Sequence, residues 1–185
     1  MFIIEYIKNP RLVGAIAPSG RYLADKMVNE INFNKAKCIV EFGPGTGVFT
    51  EKILSKVKED TKVLLIEVNN EFYNILKEKY GYKNNVIIIN DSAENIDIIL
   101  KQNNIKNVDY ILSGLPFASL PKEISRTILN KTAKIINEKG CFITFQYSLF
   151  KLKLFENYFC SINYKKEIRN LPPAYILQCR GEKNG

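Results

Sequence analysis

The sequence predicts an α/β fold, a doubly wound and mostly parallel seven-stranded sheet closed by an antiparallel C-terminal hairpin. From Cys38 onward, short apolar runs alternate with stretches of helical periodicity, which is typical of parallel strands joined by crossover helices. The last two strand-like runs are separated by Asn170-Leu171-Pro172-Pro173, and so short a connection forces them antiparallel. Because 185 residues suffice for one core and no linker or repeat interrupts them, a single domain, 1–185, is expected.

Residues 1–31 precede the first sheet strand and are predicted to form N-terminal helices. The apolar side of the first helix consists of Phe2, Ile3, Tyr6 and Ile7. This pattern suits a membrane interface and equally suits packing against the domain. Pro18 and Ser19 supply a break and an N-cap for a second helix that continues to about Ile31. The core then occupies residues 32–185.

The remaining elements follow from apolar runs and from helical spacing. Strands are predicted at 38–42, 62–67, 85–90, 108–113, 140–147, 162–169 and 174–180. Helices are predicted at 49–57, 70–80, 93–103, 122–136 and 148–159. Five strands of this set are joined through helices and are therefore expected to be parallel.

The first strand runs into a glycine-rich turn, Glu41-Phe42-Gly43-Pro44-Gly45-Thr46-Gly47. Glycines at alternate positions remove Cβ atoms where the backbone turns sharply, so a ligand can lie against bare peptide near the next helix. An ordinary tight turn can also carry such glycines. The order of strand, turn and helix favours a nucleotide-type cofactor loop.

Two carboxylates follow the next two strands. Glu67 ends the second strand, is followed by Val68, and lies 20 residues past Gly47, which is the position of the ribose-binding acid in nucleotide-binding folds. A carboxylate there can accept both ribose hydroxyls. The third strand runs into Asp91-Ser92-Ala93, where the Asp91 side chain can accept from an adenine amino group.

The motif Glu-x-Gly-x-Gly-x-Gly differs from the G-x-G-x-x-G motif of dinucleotide sites. It resembles motif I of class I S-adenosylmethionine-dependent methyltransferases. The resemblance implies a Rossmann-like methyltransferase sheet with the N-terminal helices as a lid. It also implies S-adenosylmethionine as the cofactor and S-adenosylhomocysteine as the product. The cofactor-binding residues would be Glu41, Gly43, Pro44, Gly45, Thr46, Gly47, Glu67, Val68, Asp91, Ser92, Ala93 and Ser113.

The fourth strand delivers Ser113-Gly114-Leu115-Pro116-Phe117 to the carboxyl edge of the sheet, where ligands of such folds bind. The stretch resembles the Asn/Asp-Leu/Pro-Pro-Tyr/Phe motif of adenine N6-methyltransferases and rRNA adenine dimethyltransferases. In those enzymes a polar side chain holds the base amine and an aromatic ring stacks on the flipped base. Here Gly114 occupies the amide position, while Phe117 keeps the ring. These five residues are candidates for the catalytic site, with an ordinary proline turn as the alternative.

Three longer stretches resemble the bacterial phospholipid N-methyltransferases, soluble-fold enzymes that methylate phosphatidylethanolamine at the membrane surface. They are residues 11–19 (Arg-Leu-Val-Gly-Ala-Ile-Ala-Pro-Ser), 113–121 (Ser-Gly-Leu-Pro-Phe-Ala-Ser-Leu-Pro) and 170–175 (Asn-Leu-Pro-Pro-Ala-Tyr). The resemblance covers nearly the whole chain and implies a phospholipid head group as the methyl acceptor. The chain departs from the family at 176–180, where an aromatic and arginine-rich strand is common, and this leaves the lipid substrate open.

Composition restricts the chemistry further. The chain contains no histidine, which excludes histidine-based triads, metal ligands and proton shuttles. Its four cysteines are dispersed and are expected to be reduced thiols of a cytoplasmic protein. The carboxylates already have cofactor roles, so no metal is expected. The longest stretch without a charge, 110–121, has 12 residues and is too short to span a bilayer.

The net charge of +8 is concentrated at one end, because residues 131–185 carry six of these charges. Such an excess is typical of a solvated surface or of a protein attracted to a polyanion, either RNA or an anionic membrane. A monomer is expected, cytoplasmic and, if it acts on lipids, peripheral on the inner face of the membrane.

Methylation of an amine requires that the amine lose its proton. Without histidine, the candidate acceptors are Tyr147 at the end of strand five, Tyr22 in the N-terminal lid, a carboxylate such as Glu5, or water. Three functions remain open at this stage: lipid head-group N-methylation, rRNA adenine N6-methylation, and cofactor binding without activity on membrane or RNA.

Overall fold

A computed structural model describes residues 20–183 of the chain. The strands are β1 (Cys38–Phe42), β2 (Lys62–Ile66), β3 (Val86–Ile89), β4 (Val108–Ser113), β5 (Ile136–Gln146), β6 (Phe159–Glu167) and β7 (Ala174–Glu182). The helices are α1 (Gly20–Val28), α2 (Val48–Leu54), α3 (Asn70–Tyr80), α4 (Ile96–Gln102), α5 (Lys122–Ile135) and α6 (Leu152–Glu156), with a 3-10 turn at Ala93–Asn95.

Within residues 20–183, the strands form one seven-stranded sheet in the order β3-β2-β1-β4-β5-β7-β6. Strands β1 to β5 pair in parallel, whereas β7 runs antiparallel to both β5 and β6. The strand order reverses between β1 and β4, which lie side by side. The loops that leave these two strands therefore open a crevice at the carboxyl edge, where ligands bind in doubly wound folds.

Apolar packing covers both faces of the sheet. One cluster joins the sheet to α4, α5 and α6 and includes Ile96, Leu129 and Phe155. The other joins it to α1, α2 and α3 and includes Met27 and Ile53. Strand β1 is buried along its whole length because helices cover both of its faces. The loops that form the site therefore begin at the ends of closely packed strands.

Helix α1 packs across the C-terminal strands and is held there by polar contacts as well as by its apolar face. The Lys26 ammonium donates to the carbonyl of Lys166 at 2.6 Å and lies 3.5 Å from the carboxylate of Glu167. The Glu30 carboxylate accepts from Lys165 at 2.7 Å. These contacts tie α1 and the turn that follows it to the hairpin of β6 and β7.

The predicted order of strands and helices agrees with the structure over the described residues, and the differences lie at element ends. Helix α6 is shorter than the predicted 148–159, because Phe159 already belongs to β6. Strand β5 begins at Ile136 rather than at residue 140. The first predicted helix, with Glu5, lies outside the described residues. Among helices of residues 20–183, none has both the length and the apolar character needed to cross a bilayer.

Glu167 is expected to stabilise the fold in a pH-dependent way. Arg169 donates to its carboxylate at 3.0 and 3.1 Å and holds the pKa of Glu167 at about 2, below its ordinary 4.5. The stabilisation is therefore complete above about pH 4.5 and is lost as the pH falls toward 2. Glu167→Gln should lower the Tm at pH 7, and this difference should narrow between pH 5 and pH 3 in unfolding followed by circular dichroism. A difference that stays constant over that range would contradict this role.

Candidate active site

A cavity opens at the carboxyl edge of the sheet, between the loops that follow β1, β2, β3 and β4. Seven predicted cofactor residues line it: Gly43, Gly45, Glu67, Val68, Asp91, Ser92 and Ala93. Three predicted acceptor-site residues line it as well: Gly114, Leu115 and Pro116. The fold therefore brings together two sets of residues that are far apart in sequence.

The loop after β1 depends on its glycines. Gly43, Gly45 and Gly47 have φ angles of 63°, 57° and 90°, in the left-handed region that favours glycine. A Cβ on Gly43 would lie 2.8 Å from Cδ2 of Leu115, so the loop also packs tightly against the segment after β4. Pro44, Thr46 and Gly47 lie outside the cavity lining. They shape the turn, since the Gly47 N–H donates to the Pro44 carbonyl at 3.0 Å.

Glu67 connects the end of β2 to the glycine loop. Its side chain is buried, and its two oxygens accept the N–H groups of Gly45 and Asn69, each at 2.9 Å. Burial raises the pKa of Glu67, and these backbone donors oppose the rise. A carboxylate oxygen can accept more than one hydrogen bond, so Glu67 retains capacity for ligand hydroxyls.

Asp91 is fixed at the neighbouring part of the cavity by local hydrogen bonds. Its Oδ1 accepts from the N–H of Ser92 at 2.6 Å and from the side-chain amide of Asn95 at 2.8 Å. Ser92 caps the 3-10 turn, and its hydroxyl accepts from the N–H of Glu94 at 3.3 Å. The carboxylate is therefore oriented before any ligand binds.

Sequence reasoning missed the apolar wall of the cavity. Its residues are Ile66, Phe72, Leu120, Ile124 and Ile128. The last three recur at intervals of four, with Leu120 just before α5 and Ile124 and Ile128 within it, which is a readable helical pattern. Periodicity alone cannot distinguish a cavity wall from a core face. In the structure, these side chains give the cavity a surface suited to a flat aromatic ring.

The residues from the last position of β4 to Phe117 separate into two groups. Gly114, Leu115 and Pro116 line the cavity, whereas Ser113 and Phe117 are fully buried. The Ser113 hydroxyl accepts the N–H of Leu115 at 3.2 Å and so shapes the turn. The Phe117 ring packs edge-on against Phe155 in the core, with centroids 5.5 Å apart. In this structure the Phe117 ring is buried and does not line the cavity, so its stacking on the acceptor stays a prediction that this arrangement does not favour.

Glu41 lies in the core at the base of the loop and is not part of the cavity lining. It is fully buried, its Oε2 accepts the Thr50 hydroxyl at 2.7 Å, and its Oε1 has no hydrogen-bond partner among the described residues. Burial raises the pKa of Glu41 to about 8, and the nearby Glu67 carboxylate adds to the rise. This shift favours the protonated form of Glu41 at neutral pH.

Two tyrosines are candidates for accepting the proton of the amine. Both lie near the carboxyl edge of the sheet, outside the cavity lining. Tyr22 on α1 is about half exposed, and the Arg169 guanidinium lies 4.5 Å from its ring centroid. Tyr147 directly follows β5, is also about half exposed, and packs edge-on against Phe145 with centroids 5.6 Å apart. Their catalytic role stays a prediction.

The site fits S-adenosylmethionine. The bare peptide of the glycine loop permits close approach, Glu67 offers acceptors for ribose hydroxyls, and Asp91 offers one for an adenine amino group. The apolar wall can hold the adenine ring. Among the described residues, no group of three or more Cys, Asp or Glu side chains is placed to hold a metal ion.

Glu41 gives a second pH-dependent prediction. Because its folded-state pKa is about 8 and its ordinary value is 4.5, folding binds a proton between these values, and the free energy of unfolding should fall as the pH rises. The slope from this group is at most roughly 1.4 kcal/mol per pH unit. Glu41→Gln should remove it, as measured by urea unfolding at pH 5 and pH 8. Equal pH dependence in both proteins would show that Glu41 is ionised in the folded state.

Comparison with known sequences points to one family. The model of the ribosomal RNA adenine dimethylase family matches residues 20–158. Over nearly its whole length the chain is similar to an ornithine lipid N-methyltransferase of Singulisphaera acidiphila, at 30% identity over 99% of this chain and 96% of that protein. It is also similar to the ribosomal RNA small subunit methyltransferase A of Mycoplasma capricolum, at 35% identity over 61% of this chain and 40% of that protein.

Solved structures share the fold. The N-methyltransferase NodS from Bradyrhizobium japonicum WM9, in complex with S-adenosyl-L-homocysteine, matches 90% of this chain and 89% of its own with a TM-score of 0.69 and 11% identity. A putative rRNA methylase from Clostridium thermocellum matches 87% of this chain and 94% of its own with a TM-score of 0.65 and 17% identity. The chain therefore belongs to the ribosomal RNA adenine dimethylase family and is an S-adenosylmethionine-dependent N-methyltransferase.

Proposed function

We propose that this N-methyltransferase acts on the amino head group of a membrane lipid, the class of acceptor to which phosphatidylethanolamine and ornithine lipids belong. The observation that carries the proposal is the extent of similarity. The match to the ornithine lipid N-methyltransferase covers 99% of this chain, C-terminal hairpin included, whereas the match to the ribosomal RNA enzyme covers 61%. The loop between β6 and β7 leaves the sheet at the same edge as the segment after β4, so similarity in the hairpin supports a related acceptor.

The absence of a side chain at Gly114 favours a small amine over a purine base as the methyl acceptor. Its N–H donates to the carbonyl of Phe42 at 2.9 Å, and a Cβ at this position would lie 2.8 Å from the carbonyl oxygen of Gly43. A larger residue would displace the glycine loop. The adenine enzymes use a polar side chain here and a stacking ring three residues later. This chain has no polar side chain at position 114, and the corresponding ring, Phe117, is buried.

An aromatic row beside Gly114 supports an acceptor that becomes positively charged. A Cβ on Gly114 would lie 3.6 Å from Cε2 of Phe49. The ring centroids of Phe49 and Phe145 are 6.4 Å apart, and those of Phe145 and Tyr147 are 5.6 Å apart. Aromatic faces attract methylated ammonium groups through cation–π interactions. Phe49 is buried and Tyr147 is about half exposed, so Tyr147 is the end of the row that such a cation would meet first.

The chain contributes positioning and solvent exclusion to the reaction. When bound, S-adenosylmethionine supplies an electrophilic methyl group for in-line displacement by the acceptor amine. The glycine loop and Glu67 would orient the cofactor, and Gly114 to Pro116 would set the path of the amine toward it. Glu67 and Asp91, the titratable side chains among the described cavity residues, already accept hydrogen bonds. We therefore infer that the amine loses its proton to water at the carboxyl edge of the sheet, near Tyr22 and Tyr147.

Ribosomal RNA adenine N6-methylation is the second candidate. It is favoured by the family match over residues 20–158 and by the concentration of positive charge in residues 131–185. A base acceptor would have to be held without a side chain at position 114, which makes this candidate the weaker one.

Cofactor affinity should depend on Glu67. Glu67→Ala should weaken binding of S-adenosylmethionine by roughly 1.5 to 3 kcal/mol, the range for hydrogen bonds to charged groups. Asp91→Ala should weaken it less, because one amino contact is lost. Isothermal titration calorimetry measures both, with Asp97→Ala as a matched control, since Asp97 is exposed and pairs with Lys131 outside the cavity. Unchanged affinity in a folded Glu67→Ala protein would contradict the assignment.

The acceptor class is tested directly with labelled S-adenosylmethionine. The protein is incubated with vesicles that contain phosphatidylethanolamine, with vesicles that contain ornithine lipid, and with ribosomal RNA. We expect label in one or both lipids and none in RNA. Label in RNA alone would reject the lipid proposal and establish the second candidate.

A further inference from the structure

Three apolar side chains at the carboxyl edge of the sheet are unusually exposed. Phe150 is 90% exposed, Ile168 is 71% exposed and Leu171 is 78% exposed. They lie on two loops, residues 147–151 after β5 and residues 168–173 between β6 and β7. Exposed aliphatic and aromatic tips that cluster beside a site mark an interaction surface more often than scattered ones do.

Strand register places both loops beside the active site. Ser113 pairs with Thr144 and Gln146 pairs with Tyr175, so the loop with Phe150 leaves the sheet next to the segment that begins with Gly114. Glu167 pairs with Ala174, so loop 168–173 leaves the same edge one strand further. Lys151 connects the first loop to the active-site segment by donating to the carbonyl of Ala118 at 2.7 Å.

Positive charge surrounds these apolar tips. Lys26 and Arg169 both approach the buried Glu167 carboxylate, and Lys166 lies next to it in sequence. Asp25 also lies near Arg169 but is itself paired with Lys52, so positive charge is in excess there. The Arg169 side chain remains 60% exposed. Lys151 adds a further cation beside Phe150. Apolar tips flanked by cations complement an anionic lipid surface, where the tips enter the interface and the cations meet head groups. RNA phosphates would also pair with these basic side chains, but Ile168 and Leu171 would stay exposed to water.

We propose that loops 147–151 and 168–173 form a membrane-docking edge, which inserts Phe150, Ile168 and Leu171 into the interface of an anionic bilayer. This inference rests on the proposed lipid N-methylation and explains how the acceptor reaches the site. Docking by this edge turns the opening of the cavity toward the head groups. The amine then needs to move only from the membrane interface to Gly114, while the acyl chains stay in the bilayer.

The test compares the full-length chain with two variants in co-sedimentation with vesicles of phosphatidylglycerol and phosphatidylcholine. The first variant, F150S/I168S/L171S, removes the apolar tips. The matched control, Y82S/I98S, removes two exposed apolar side chains outside the two loops, which are 74% and 51% exposed. We expect the first variant to lose roughly tenfold or more in vesicle affinity and the control to stay within about twofold. Affinity for S-adenosylmethionine should be unchanged in both.

Three outcomes decide the proposal. Equal vesicle binding by the loop variant and the unmodified protein would overturn it, as would binding of the unmodified protein to RNA but not to vesicles. Selective loss in the loop variant, with binding weakened by salt, would establish the docking edge. If that loss is seen but detergent-dispersed lipid amines are not methylated, the docking edge stands and the proposed acceptor fails, so the two failures are distinguishable.

Discussion

The hydrogen bond from the Gly45 N–H to the Glu67 carboxylate is the contact on which the site depends. A loop with three glycines at positive φ has a large conformational entropy in the unfolded chain and few side chains to hold its folded shape. Glu67 compensates for this because it lies at the end of a fully packed strand and is itself buried. Its second oxygen fixes the start of α3 through Asn69. One carboxylate therefore sets the position of the β1 loop relative to the β2 loop, and the cavity lies between them.

Glu41 lies in the same buried region, and its pKa is raised first by burial and further by the Glu67 carboxylate. Two ionised carboxylates in the same buried region would repel each other, and the backbone donors favour the ionised form at Glu67 rather than at Glu41. Glu41, with a single hydroxyl donor and one oxygen without a partner, is the group that stays protonated. A positively charged ligand such as a sulfonium would favour ionisation of both groups, so this pair is suited to a cationic cofactor.

The sequence predicted those parts of the structure that local chemistry determines. The glycine loop, the place of Glu67 and the antiparallel hairpin follow from glycine spacing, from a strand end and from a short connection, and each agrees with the structure. The burial of Phe117 could not be predicted, because its partner Phe155 is distant in sequence and only tertiary packing turns the ring inward. The raised pKa of Glu41 has the same origin, since it arises from complete burial. The wall formed by Leu120 and Ile124 had a visible pattern, but core and cavity faces share that pattern.

Gly114 links the cofactor loop to the choice of acceptor. In this fold the segment after β4 must approach the loop after β1. Here the approach is so close that a Cβ on Gly43 would clash with the Leu115 side chain and a Cβ on Gly114 would clash with the Gly43 carbonyl. A site built in this way gives up the polar side chain that could hold a planar base and keeps backbone groups and nearby aromatic rings. Under the proposed function, such a site would accept a slender, flexible amine rather than a flipped base. The same sheet edge carries exposed apolar side chains and an excess of positive charge, and under the proposed function these features would favour an amine displayed on an anionic lipid surface.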